Sequence, residues 1–295
     1  MILLLVVAAL PWIMSVALRT YCGPVDDDAA PLATVTVIPV LVAVTAFSVA
    51  ASTTALASVL IASQPAIAIA AGFGMIGWVV YRLALAAGHI ARVVASSRDA
   101  AKFAAEADVR GGTVLVESTE PDAFAVASGG GAVVITTALV AALSDAELTA
   151  VIEHERAHLR FRHTFFTQTV ELAAQFDPLL RPVVGHVRHA AERHADEWAA
   201  RYDRHATMSA LAKTVLLRAH LARHSTSLSS TGGDVVRRVR ALTAPPPPPP
   251  PPRRSVVIAA LVSITAFAAI SLGLFDVAQD VIVPEVGENP TSVFR

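Results

Sequence analysis

The sequence predicts a mainly α-helical membrane protein, with four transmembrane helices and one small aqueous α+β domain that contains a short sheet. Two observations support this prediction. Hydrophobic residues make up 54% of the chain and charged residues only 16%, whereas about 25% charged residues is usual for a soluble domain. The charges are also unevenly placed, because residues 1–90 hold few of them and residues 92–244 hold most of the Lys and Arg.

Four apolar segments are long enough to cross a bilayer, which takes about 20 residues of helix. They are residues 1–18, 32–62, 66–85 and 255–275. The first segment could instead be a signal peptide, but it has no basic start and no obvious cleavage site, so a retained helix is favoured. The predicted organisation is therefore three spans in 1–92, an aqueous domain in 93–244 and a fourth span in 253–276.

Basic residues near the ends of the spans predict the orientation in the membrane. Arg82 lies at the end of the third span and Arg92 follows it, and Arg253 and Arg254 precede the fourth span, whereas three of the four charged residues in the tail of 277–295 are acidic. We therefore expect a multi-pass protein of the cell membrane, in contact with the lipid bilayer, whose aqueous domain faces the cytoplasm and whose tail is extracytoplasmic. The net charge of −1 gives no argument for binding nucleic acid.

Two smaller features flank the predicted fourth span. The eight prolines of 245–252 predict a polyproline II linker about 25 Å long, which is interpreted as a stiff spacer; a docking site for a proline-binding partner is the alternative. The basic cluster of Arg237, Arg238 and Arg240 predicts a contact with anionic lipid. The single cysteine, Cys22, excludes a disulfide within the chain and argues against a thiolate metal site.

The aqueous domain is predicted to begin with three short strands, at residues 113–117, 123–127 and 133–136, separated by Gly- and Pro-containing turns. A helix follows with a clear start, because Ser144 and Glu147 form a capping box that satisfies exposed N–H groups of its first turn. Apolar residues recur along it at helical spacing. Further helices are predicted at about 186–205 and 207–224.

That helix carries the segment His154-Glu155-Arg156-Ala157-His158. Histidines at positions i and i+4 lie on one helical face, so His154 and His158 could bind one metal ion. Glu155 is then placed to take a proton from the attacking water and pass it to a leaving amine. Zinc is the metal that suits nitrogen and carboxylate ligands with one open position. The alternative is a solvated helix face.

A third ligand should come from another helix, and Glu192 and Asp196 are again four residues apart. Glu192 is predicted as the ligand and Asp196 as the carboxylate that accepts a hydrogen bond from a ligand histidine. Reversed roles stay open, as does a pair of surface acids. His163 is interpreted as a histidine behind the ligands, not as a ligand. Candidates for stabilising the oxyanion of a tetrahedral intermediate are His189, Arg193 and His194.

The order of these motifs resembles the membrane gluzincins, which include the HtpX heat-shock protease, the CAAX prenyl-protease group and the BlaR/MecR antirepressor peptidases. The resemblance covers roughly residues 113–200. It implies a zincin-like domain with one Zn²⁺ per chain, bound by His154, His158 and Glu192, with Glu155 as the base and a protein or peptide as substrate. It also implies that the strand Val133-Val134-Ile135-Thr136 could pair with an extended substrate.

The order of spans and domain looks most like the BlaR/MecR type, although only about 20 residues follow the fourth span, where those receptors carry a penicillin-binding sensor. The prediction is an integral-membrane zinc endopeptidase, whose regulatory version would cleave a transcriptional repressor or itself. Two alternatives remain open. One is a signalling scaffold or pseudoprotease that binds zinc without turnover, and the other is a quality-control protease for membrane proteins.

Overall fold

The computed structural model of the protein describes residues 2–22, 30–62, 65–106, 109–110, 112–127, 131–222 and 231–247, and a few isolated positions after residue 260. The described part is mostly helical. Its helices are α1 (Ile2–Tyr21), α2 (Pro31–Ala62), α3 (Ala66–Glu106), α4 (Thr137–Ala142), α5 (Asp145–Arg160), α6 (His163–Phe176), α7 (Arg181–Ala199), α8 (Arg204–Ala222) and α9 (Thr231–Thr243). The short 3₁₀ helix Pro178–Leu180 joins α6 to α7.

Two of the long apolar helices qualify as membrane spans by length and composition. They are α2 and the part of α3 from Ala66 to Asp99, which correspond to the second and third predicted spans. Of the described residues, α1 does not meet the same test, and the predicted fourth span, the tail and most of the polyproline linker lie outside the described residues. The described structure therefore supports two candidate spans and not four.

A four-stranded sheet lies beside α5, and the three longer strands match the predicted ones. The strands are β1 (Val109–Arg110), β2 (Thr113–Val116), β3 (Ala123–Val126) and β4 (Ala132–Thr136). Their order is β1-β2-β4-β3, with β2 and β4 parallel and the other pairs antiparallel. All five residues of β4 are buried, whereas β3 forms the edge of the sheet towards α5.

The position of β4 corrects one prediction. Val133, Val134, Ile135 and Thr136 pair with β2 on one side and with β3 on the other, so their backbone hydrogen-bonding groups are already used within the sheet. A strand in that position cannot add a substrate strand. The prediction that this strand pairs with a substrate is therefore wrong, and the edge of the sheet that lies beside α5 is that of β3.

The apolar helices α1 and α2 share a hydrophobic core with α6 and α7, which belong to the predicted aqueous domain. Its members include Leu18, Val42, Val170 and Val187. The predicted domain boundary between residues 92 and 93 falls inside α3, which continues as one helix to Glu106. The helices around the candidate site are thus packed directly against the apolar helices and not joined to them by a linker alone.

A buried arginine fixes α3 to the end of α6. Arg82 is 4% exposed, and its guanidinium donates to the carbonyl oxygens of Ala174, at 3.1 Å, and Phe176, at 3.3 Å. These carbonyls belong to the last turn of α6, where no further helical N–H is available to them. About two turns further along α3, a second contact joins it to α6, because His89 Nε2 lies 2.9 Å from Gln168 Oε1.

The capping box at the start of α5 is present as predicted. Ser144 accepts from the backbone N–H of Glu147, and the Glu147 carboxylate accepts from the backbone N–H of Ser144. The same carboxylate is buried against α8, where it accepts from Ser209 Oγ at 2.6 Å and Lys213 Nζ at 2.7 Å. Glu147 therefore joins α5 to α8 as well as capping α5.

Glu147→Gln is expected to lower the free energy of unfolding by about 1.5–3 kcal/mol at neutral pH, because it removes hydrogen bonds to a charged partner. The hydrogen bonds from Lys213, Ser209 and Ser144 lower the pKa of Glu147 to about 2 from its usual 4.5. The stabilisation that the ionised Glu147 carboxylate provides is fully present above the pKa of this group in the unfolded chain, and it is lost as the pH falls through its lower pKa in the folded protein.

The difference in melting temperature between wild type and Glu147→Gln should therefore shrink between about pH 4.5 and pH 2. Thermal unfolding followed by circular dichroism measures it. Asp145→Asn, an exposed acid in the same turn, is the matched control and should change the melting temperature little. A difference that stays constant over that pH range would contradict the assignment.

Candidate metal centre

Three potential metal ligands converge between α5 and α7. His154 and His158 lie one turn apart on α5, and their Nε2 atoms are 3.2 Å apart. Glu192 faces them from α7, with Oε2 at 3.6 Å from His154 Nε2 and Oε1 at 3.6 Å from His158 Nε2. The sequence separates Glu192 from His158 by more than thirty residues, and the packing of α5 against α7 brings them together.

The spacing of these atoms fits a tetrahedral ion. Ligands at 2.0–2.1 Å from zinc lie about 3.3 Å from one another when the geometry is tetrahedral. The two histidine nitrogens are 3.2 Å apart, and each lies 3.6 Å from a different oxygen of Glu192, close to that value. With one ligand atom taken from each residue, the three atoms lie within 4.8 Å of one another. Within the described residues, His154, His158 and Glu192 form the one such group of three His, Cys, Asp or Glu side chains.

The sequence leaves open whether Glu192 or Asp196 is the metal ligand, and the position of Asp196 bears on that choice. Its Oδ1 lies 3.0 Å from Nδ1 of His154, on the side of the ring away from Glu192. A carboxylate accepts, so Nδ1 of His154 carries a proton, and with a metal ion bound Nε2 would present its lone pair to the ion between Glu192 and His158. This geometry favours Glu192 as the ligand. Asp196 is 3% exposed, so the alternative of two surface acids does not describe it.

Arg238 completes the centre from α9. It donates Nε and Nη2 to the two carboxylate oxygens of Asp196, each at 2.7 Å, and its Nη1 lies 2.8 Å from Glu192 Oε2. The predicted lipid contact is wrong for Arg238, because its side chain is 11% exposed and turned inward towards Asp196 and Glu192. The sequence does contain a signal for this inward orientation, because Arg238 lies on the same helical face as Val235 and the buried Leu242.

The charges of the centre favour a cation among the three ligands. Burial alone would lower the pKa of His154, but its hydrogen bonds to the carboxylates of Asp196 and Glu192, together with the negative charges of these groups, raise it to about 10. Burial and the charge of His154 lower the pKa of His158 to about 4. Burial would raise the pKa of Glu192, but His154 and Arg238 hold it well below its usual range. A divalent cation would supply the positive charge that this arrangement favours.

A cavity of about 340 Å³ opens onto the three ligands and onto Glu155. Its other walls come mainly from the edge of the sheet, α5 and α8. They include the apolar Phe124, Ala125, Leu211 and Val215 and also the polar Thr207 and Thr214. The cavity therefore combines a charged floor with apolar surface and a few polar groups, which is the usual character of a site that binds an organic ligand.

The remaining predicted residues lie behind the ligands. His163 is buried, and its Nδ1 lies 3.2 Å from Nδ1 of His158. The three candidates for oxyanion stabilisation do not belong to the described lining of the cavity. His194 instead contacts His163, and His189 hydrogen-bonds to Asp234. Among the described residues, Arg238 is the arginine that lines the cavity.

The family model of peptidase family M48 matches residues 84–180, about a third of the chain. The matched segment runs from α3 through the sheet and α5 to the end of α6, so it contains His154, Glu155 and His158 but stops before Glu192. This match supports a metallopeptidase of that family and does not distinguish among the three groups that the motifs resemble. No curated protein and no solved structure shows significant similarity to the chain.

Arg238→Ala is expected to destabilise the protein by about 3–5 kcal/mol, because it leaves the buried charge of Asp196 without its partner. The stability of Arg238→Lys should lie between that of the wild type and that of Arg238→Ala, since an ammonium keeps the charge but cannot form the two parallel hydrogen bonds. Thermal unfolding of the purified protein measures the order. Arg240→Ala, an exposed arginine of the same helix, is the matched control, and equal melting temperatures for the Arg238 and Arg240 variants would refute the role.

Proposed function

We propose that this protein is a zinc-dependent membrane endopeptidase of family M48. The observation that supports it most directly is the convergence of His154, His158 and Glu192 beside Glu155, at the floor of an open cavity, with their potential ligand atoms within 4.8 Å of one another. The match to the M48 family model over residues 84–180 supports the same class of reaction.

The chain's own residues would divide the work of peptide hydrolysis. His154, His158 and Glu192 would hold one Zn²⁺ per chain, which when bound polarises a carbonyl group and lowers the pKa of a water molecule. Glu155 lines the cavity next to the ligands, where its carboxylate would accept the proton of the attacking water and deliver it to the leaving amine. Asp196 and Arg238 would keep the ligands in position.

We propose that an extended substrate binds along the edge of β3. The backbone N–H of Thr136 donates to the carbonyl of Asp122 at 3.0 Å, so in the antiparallel ladder Asp122 and Phe124 direct their backbone groups towards β4. The backbone groups of Ala123 and Ala125 then point the other way, to the free edge. Both residues line the cavity, so a strand added there would carry its peptide groups past Glu155.

The exposure of α3 supports insertion into a bilayer. Only 11% of its most apolar stretch is buried, and large apolar side chains such as Ile67 and Phe73 are mostly exposed. Exposing such a surface to water costs about 25 cal/mol per Å² of apolar area, a cost that lipid contact would remove. We propose a multi-pass protein whose catalytic helices face the cytoplasm, as the basic residues flanking the apolar segments predict.

The biological role is proposed as regulatory proteolysis, in which the protein cleaves a repressor or itself. The packing of α1 and α2 against α6 and α7 supports it, because a change in the apolar helices would reach the helices of the site directly. Comparison of the proteins that accumulate in cells carrying the inactive enzyme tests this role. One or two accumulating proteins are expected, whereas many damaged membrane proteins would indicate quality control instead.

Glu155→Gln is expected to lower kcat for peptide cleavage by about 10²–10⁴-fold, the usual contribution of a general base, while zinc content stays at one per chain. Glu153→Gln, the same change one position before the histidine pair, is the matched control and should keep activity. Full activity of Glu155→Gln would refute the mechanism. Zinc bound by the wild type, without turnover of any peptide in a library, would support the scaffold alternative.

His154→Ala and Glu192→Ala are expected to lose most of the bound zinc, because each removes one of three protein ligands. Metal analysis of the purified full chain measures it. Zinc retained at full stoichiometry in both variants would refute the ligand set. In Glu192→Ala, loss of zinc with unchanged circular dichroism would show that the effect is on the metal and not on the fold.

The orientation predicts which side of the membrane Tyr202 occupies. This residue is exposed at the turn between α7 and α8, so Tyr202→Cys in a Cys22→Ser background offers one accessible thiol. A membrane-impermeant maleimide should label it only after the cytoplasmic membrane is opened. Labelling in intact cells would contradict the cytoplasmic orientation, and Cys22→Ser alone is the control for background labelling.

A further inference from the structure

A continuous row of histidines extends from the metal ligand His158 away from the cavity. Nδ1 of His158 lies 3.2 Å from Nδ1 of His163, and Nε2 of His163 lies 2.9 Å from Nδ1 of His194. His163 is 1% exposed. The row therefore joins the end of α5, the start of α6 and the middle of α7 through ring nitrogens alone.

An unusual backbone conformation puts His163 in this place. If α5 continued as a regular helix, a residue five positions after His158 would be rotated about 140° around the axis from it. Arg162 interrupts the helix with a φ of 54° in the left-handed region, and it is the one described residue other than glycine with a positive φ. Residues other than glycine adopt this conformation rarely. The left-handed conformation of Arg162 changes the chain direction after α5, so that the side chain of His163 contacts His158.

Metal binding would fix the hydrogen bonds of the whole row. If Nε2 of His158 faces the ion, Nδ1 of His158 carries the ring proton and donates a hydrogen bond, which Nδ1 of His163 must accept. Nε2 of His163 then carries a proton of its own and donates to Nδ1 of His194. One tautomer of each ring satisfies both contacts at once, and this is the same tautomer that places the lone pair of His158 on the cavity side.

We infer that His163, backed by His194, is the positioning residue of the metal ligand His158. It would orient the imidazole and hold its tautomer, as the outer partners of metal-bound histidines do. The inference rests on the proposed function, since it takes His158 to be a zinc ligand. It goes further by assigning the two ligand histidines different supports, a carboxylate from Asp196 for His154 and a neutral imidazole from His163 for His158.

The test exploits the positions of the two ring nitrogens of His163. Asn places its Oδ1 near the position of Nδ1 and keeps an acceptor for His158, whereas Gln reaches the position of Nε2 and does not. With the purified full chain in detergent, His163→Gln and His163→Ala should weaken zinc binding by about 10–100-fold. His163→Asn should stay within about 3-fold of the wild type, since the acceptor that faces His158 is retained. Competition with a chelator of known affinity measures the zinc Kd.

Two controls separate positioning from simple packing. His205→Ala removes an exposed histidine of α8 and should leave the zinc Kd unchanged. Arg162→Gly should also leave it unchanged, because glycine adopts the left-handed conformation readily. A role in packing alone would lower the melting temperature of all three His163 variants and would not rank their zinc affinities with Asn above Gln.

Unchanged zinc affinity in His163→Ala would overturn the inference, and so would equal losses in the Asn, Gln and Ala variants. If none of the three variants folds, His194→Ala tests the same row from its far end. A loss of a few-fold in zinc affinity is expected there, and no loss would overturn the inference. A wild type that binds no zinc would refute the proposed function itself, which is a separate outcome.

Discussion

The carboxylate of Asp196, buried between α5, α7 and α9, is the constraint on which the rest of the site depends. A charge taken out of water is costly unless its partners satisfy it, and here His154 and Arg238 supply the hydrogen bonds. The three helices must therefore meet at this point with the correct rotation. Once they do, Glu192, one turn before Asp196, necessarily faces the two histidines of α5.

The site is anchored to the apolar part of the protein through α6. This helix begins at His163, next to His158, and its last carbonyls accept from Arg82 of α3. The middle of α6 belongs to the hydrophobic core that α1 and α2 share with α7. The candidate metal centre and the apolar helices thus contact opposite ends and different faces of one short helix, so the position of His158 depends on how the apolar helices pack against α6.

Much of the local structure could be predicted because its signals lie close together in sequence. The capping box of Ser144 and Glu147 marks the start of α5, and the spacing of His154 and His158 places both on one face of it. Short runs of β-branched and apolar residues between turn residues predict the three longer strands. They do not predict the inner position of β4, since strand pairing depends on which strands meet and not on the composition of one strand.

By itself the sequence determined the histidine pair, the adjacent Glu155 and the helix that carries them, because these relations span one or two turns of a single helix. The tertiary structure decided that Glu192 faces the two histidines while Asp196 lies behind His154, that Arg238 turns inward, and that β3 forms the edge beside the cavity. Each of these depends on how elements far apart in the chain pack together. Packing responds to the burial of whole surfaces and charges, which no single segment of the sequence encodes.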